Sequence, residues 1–183
     1  MSLRLIGWVS GLLERFERNP QSTLLVLLTL CYGQPLEVVL QARWGDFDLQ
    51  ERVWRFGSDC LPLTGPILDL LARFRSTASG RGEHMFTGRC GGELSKALAL
   101  RLVSQLSGGV LPFATLQAWA QKGCPDLASG DLRAEILREY AGRGASATQV
   151  VCLKCELEAR LRASVEAWHD VLLVRRTFDE PPG

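Results

Sequence analysis

The most reactive pattern in the chain is a pair of thiols. Cys152 and Cys155 form a C-x-x-C, a spacing that puts both side chains on one turn of a helix. A structural zinc site needs two further ligands at matching spacing, and the sequence holds neither a second C-x-x-C nor an H-x-x-x-H. No metal is therefore expected. Cys31, Cys60, Cys90 and Cys124 are scattered, and in a reducing compartment they stay free thiols. His84 and His169 stand in unrelated contexts. The chain has no G-x-S-x-G, no P-loop and no dinucleotide fingerprint, so neither a cofactor nor a small-molecule substrate is expected.

The bulk composition fits one folded unit. The chain has 183 residues, 46% hydrophobic and 22% charged, enough for one sizeable core. With 21 basic and 20 acidic side chains the net charge is +1, which gives no whole-molecule attraction to nucleic acid or to an anionic membrane. A local basic face is still compatible with that sum. The most apolar stretch, TLLVLLTLC over 23–31, is too short to span a bilayer. Acidic Glu14 and Glu17 follow the N-terminal MSLRLIGWVSG almost at once, unlike a signal peptide. A cytoplasmic protein without membrane contact is expected.

Periodicity predicts a mainly α fold of α+β type, a helical bundle with a small antiparallel sheet. Helices are expected over 5–16, over 22–32 with Ser22 as cap and Gly33 as stop, and over 35–42 with Pro35 in the first turn. A turn is expected over 46–49, a strand at RVWRF over 52–56, and a pairing strand over 59–62. Thr64 and Pro66 should open a helix that runs to about 75, followed by a loop over 76–82. A short strand over 84–86 and a turn at Gly91-Gly92 precede helices over 95–106, 113–121, 131–140 and 157–173. One domain over 1–174 with a frayed tail over 175–183 is expected.

Three strings go beyond fold class. LLVLLTLCYGQPLEVVLQARWGDFDLQERVW, from Leu24, resembles the first conserved box of the tyrosine recombinases, above all of P4-like phage integrases; Glu37, Arg43, Trp44, Asp46, Asp48 and Trp54 fall in its register. HMFTGRCGGELS, from His84, is similar to a second family string. LEARLRASVEAW, from Leu157, is similar to the helix that follows the active-site tyrosine. The likeness covers nearly the whole chain and starts at the catalytic domain, without the N-terminal DNA-clamping domain usual in the family. It implies the recombinase catalytic-domain fold.

The resemblance also implies what has been lost. The family attacks a DNA phosphate with a tyrosine hydroxyl, a reaction that needs an activated nucleophile and cations aimed at the phosphoryl oxygens. By register the first arginine is Gln34, which has neither the charge nor the bidentate fork. The hairpin lysine has no counterpart, because only GSDC over 57–60 separates the strand from LPLT. The H-x-x-R box falls on Phe113 and Leu116, the later histidine on Arg143, and the tyrosine on Cys152, with Val151 as the off-by-one alternative. Tyr140 lies about a dozen residues too early. No catalytic residue is expected, and the chain reads as a non-catalytic relative.

Two uses are then open. A DNA-associated accessory or regulatory factor of a mobile genetic element would touch duplex phosphates, with Arg43, Arg89, Lys96, Arg101, Lys122 and Arg143 as candidate contacts. A protein-interaction module would dock on a recombinase or on a second copy through the last helix, where Val165, Trp168, Val171, Leu172 and Val174 make an apolar stripe.

Overall fold

Helix α2 (Pro20–Tyr32) is the axis on which the rest of the chain packs. Every side chain from Ser22 to Tyr32 is buried. A helix that is apolar all round has to be enclosed, and the run TLLVLLTLC meets that condition. In the computed structural model, which describes residues 3–57, 59–77, 82–88, 92–109, 112–129 and 137–174, α2 is surrounded by helices on several sides. The described fold is mainly helical, 68% of it, with one small antiparallel sheet.

Helix α1 (Leu3–Glu14) buries Leu5, Val9, Leu12 and Leu13 at helical spacing. Pro20 opens α2 at a position where its missing N–H costs nothing, so Asn19, not Ser22, is the residue before the first turn. Gly33 closes α2 in the left-handed conformation, φ 64°. Helix α3 (Leu36–Leu40) is short, with Pro35 before it rather than inside it. A 3₁₀ turn (Trp44–Asp46) follows, with the Arg43 N–H donating to Asp46 Oδ2 at 2.7 Å.

The sheet has the order β1 (Phe47–Asp48), β2 (Val53–Phe56), β3 (Asp59–Pro62). Register pairs Phe47 with Trp54 and Trp54 with Leu61. The segment over 46–49, expected as a turn, thus supplies a third strand at Phe47–Asp48. Trp54 is fully buried, stacked on Phe47 at 5.2 Å and edge-on to Tyr32 at 5.6 Å.

Helix α4 (Gly65–Thr77) turns Ile67, Leu70, Leu71 and Phe74 inward. The segment over 82–88 joins the front of the molecule through single bridges, Arg43 with His84 and Thr87 with Glu93, rather than as a regular strand. Ser95 caps α5 (Lys96–Leu106) by accepting from the Leu98 N–H. Helix α6 (Phe113–Gly123) lies along α2, and a 3₁₀ turn (Pro125–Ser129) leads away from it. Part of the helix expected over 131–140 falls outside the described residues; 137–142 is helical.

The last helix is longer than its apolar pattern predicts. Helix α7 (Ala147–His169) begins ten residues before 157, set by a capping box in which Ser146 and Gln149 bond each other's backbone N–H. It ends in a π-helical turn (Asp170–Val174) that tucks Leu172 and Leu173 into the core.

The junction of α7 with α2 is a set of hydrogen bonds. A helix leaves its last four carbonyls without internal partners. Thr29 O accepts from the Gly33 N–H at 2.7 Å, and Tyr32 O from Gln34 Nε2 at 3.2 Å. Leu30 O accepts from Trp168 Nε1 at 3.2 Å, and Cys31 O lies 3.2 Å from His169 Nε2. The end of α7 therefore caps the end of α2.

Candidate functional site

A depression opens at the C-terminal end of α2. It is a cleft of about 720 Å³ lined by α3, the 3₁₀ turn, the β2–β3 corner and the segment around His84. Gln34 stands in its wall, half-buried. Asp46, Asp59 and Glu93 also line it, against the single guanidinium of Arg43. That guanidinium is held by Glu83, with Nη1 to Oε1 at 2.6 Å. His84 Nδ1 is buried there without a hydrogen-bond partner. The lining is thus carboxylate-rich, which repels phosphate rather than attracting it.

The positions to which the resemblance assigns the chemistry are not gathered here. Phe113 and Leu116 lie on the inner face of α6 in the core, Leu116 fully enclosed. Helix α6 is pressed so close to α2 that a Cβ on Gly33 would sit 3.2 Å from the Ala120 methyl. Neither residue lines the cleft at Gln34. Cys152 is exposed on α7 and lines a separate hollow of about 220 Å³ with Tyr140, Gln149 and Glu156; that hollow shares no lining residue with the cleft of Gln34. Arg143 is exposed, and its guanidinium is bonded to Glu139, one helical turn back.

The candidate cations divide into two kinds. Arg43, Lys96 and Arg143 are each tied to an acid: Glu83, Glu37 and Glu139. The hydrogen bond from Lys96, together with a backbone N–H, holds the Glu37 carboxyl below its ordinary pKa. Arg101 on α5 and Lys122 on α6 are exposed and have no ion-pair partner among the described residues. Arg89 lies outside the described residues.

The stripe on the last helix is occupied within its own chain. Val165 is fully buried, Trp168 and Leu172 nearly so, and Val171 half-buried. Trp168 seats its ring against Gly123, where a Cβ would fall 2.1 Å from Cζ3. Only Val174, 54% exposed, stands out of this stripe. Docking in trans through these residues would first require α7 to leave its own core.

The sequence did not reveal the carboxylate lining, because it is assembled over long separations. The bridge that brings His84 and Glu83 to Arg43 joins residues about forty apart. No helix of the described residues is long and apolar enough to cross a membrane, and no group of His, Cys, Asp or Glu among them could hold a metal within one chain. No family model matches the chain, and no curated protein and no solved structure is similar to it.

Proposed function

We propose that this protein is a tyrosine-recombinase-like domain without strand-cleaving chemistry, an accessory or regulatory factor of a mobile genetic element that acts by binding. One observation carries the non-catalytic half of this reading. Phe113 and Leu116, at the positions where the resemblance calls for a histidine and an arginine, are sealed in the core beside α2. Gln34, at the first arginine, has its amide turned to the Tyr32 carbonyl. Transition-state charge on a phosphoryl group would meet no cation at these positions.

Contact with DNA, in this reading, runs through Arg101 and Lys122, exposed cations without an ion-pair partner among the described residues. Each phosphate neutralised by a cation adds about 0.9 to the salt slope of binding. Fluorescence anisotropy against a duplex at low and physiological salt tests it. Weak, salt-sensitive binding supports DNA association, and binding unaffected by Arg101→Ala and Lys122→Ala contradicts this route.

A second reading has its own support. The cleft at Gln34 presents three carboxylates, Asp46, Asp59 and Glu93, and the adjacent cations are already paired. Such a surface suits a basic protein segment better than a phosphate backbone. Absence of DNA binding at either salt, with retention on an immobilised recombinase, would favour a protein-docking module.

A further inference from the structure

The front half of α7 carries two thiols on its surface. Every residue from Ala147 to Arg160 is exposed or half-buried. Cys152 and Cys155 are both free and exposed on this stretch. Residues three apart on a helix have Cβ atoms roughly 5–6 Å apart. Rotation about χ1 brings two such sulfurs within the separation, a little under 4 Å on the order of tetrahedral geometry, that two thiolates take on one zinc ion at about 2.3 Å each. The pair is a ready bidentate soft-donor clamp.

It is also only half a site. Structural zinc takes four ligands, and among the described residues no third His, Cys, Asp or Glu converges on the pair. Cys60, also exposed, belongs to β3 and is not part of such a group. Among the described residues nothing supplies the other two ligands. A second copy supplies them by symmetry: a twofold axis beside α7, perpendicular to it and level with the middle of the Cys152–Cys155 span, sets each Cys152 against the other chain's Cys155. The three-residue span rises only about 4.5 Å, so all four sulfurs fall around one point. Val151, 60% exposed and next to Cys152, gives that contact an apolar lip.

We propose that Cys152 and Cys155 form one half of a tetrathiolate site for a soft divalent cation, zinc by chemistry, completed by the same pair from a second copy of this chain. Binding releases the four thiol protons to solvent and changes no oxidation state. The site needs no recombinase relationship and stands apart from the reading above.

The test is the oligomeric state of the full chain, kept reduced with a phosphine, with and without Zn²⁺, by light scattering after size exclusion. The expected result is a monomer that becomes a dimer at one Zn²⁺ per two chains. Cd²⁺ in its place should give the thiolate-to-metal charge-transfer band. Cys152→Ser and Cys155→Ser should each abolish both responses. Both positions are exposed, so an unchanged circular dichroism spectrum separates loss of ligand from loss of fold. A dimer that forms equally without metal, or persists in the double variant, overturns the proposal. So does one Zn²⁺ per chain without dimerisation, or no binding at all.

Discussion

His169 has both ring nitrogens engaged. Nδ1 lies 2.7 Å from Thr64 Oγ1, and Nε2 lies 3.2 Å from the Cys31 carbonyl. A carbonyl only accepts, so Nε2 carries the hydrogen and the Thr64 hydroxyl donates to Nδ1. This is a neutral imidazole, and burial pushes its pKa down to about 4. Neighbouring Cys31 and Tyr32 are pushed the other way by burial, so neither titrates in the acid range. Between the ordinary value of 6.5 and about 4 the unfolded chain binds a proton that the folded chain refuses. Stability therefore falls as pH drops through that window, by about 3 kcal/mol in full. Urea melts of the wild type and of His169→Gln at pH 7 and pH 4.5 check it: the variant starts less stable and lacks this part of the acid loss. Thr64→Val, which leaves Nδ1 without its donor, should cost about 1–3 kcal/mol at pH 7. Thr64 was expected as a helix cap from its place before Pro66. Its hydroxyl instead serves a residue far away in sequence, which no local pattern encodes.

Elements show where sequence reasoning reaches its limit. Helix α2 was legible because a run of apolar residues closed by Gly33 has one physical solution, a buried helix with a left-handed stop. The hairpin was legible from the alternation in RVWRF. Strand β1 was not, because two residues carry no period. The front half of α7 was missed for a related reason: its surface is exposed nearly all round, so it shows no apolar stripe, and only the Ser146–Gln149 capping pair marked its start. The α6–α7 contact gives a sharp prediction. Gly123→Ala drives a methyl into the Trp168 ring, and should destabilise by about 1–3 kcal/mol in thermal or denaturant melts despite alanine's better helix propensity. Leu116→Arg, which restores the residue type the resemblance calls for, places an unpaired charge in the core. It should cost several kcal/mol and yield unfolded or aggregated protein rather than gained activity.

At the scale of the whole molecule the near-neutral charge is also locally balanced. Arg43, Lys96 and Arg143, three of the cations a sequence reading would offer to DNA, already hold Glu83, Glu37 and Glu139. Exposed pairs of this kind contribute little to stability, but they reduce the positive field that a duplex would meet. Binding through Arg101 and Lys122 alone should give a log–log salt slope of about 2, and each alanine substitution should lower it by about 1. The measurement that bears most directly on binding without cutting is a denaturing gel of the protein incubated at low salt with a nicked, labelled duplex, run beside a native gel of the same mixture. A shifted band in the native gel and unmodified strands in the denaturing one are expected. A labelled strand covalently attached to protein, lost in Cys152→Ser or in Tyr140→Phe, would contradict it and make that side chain a nucleophile.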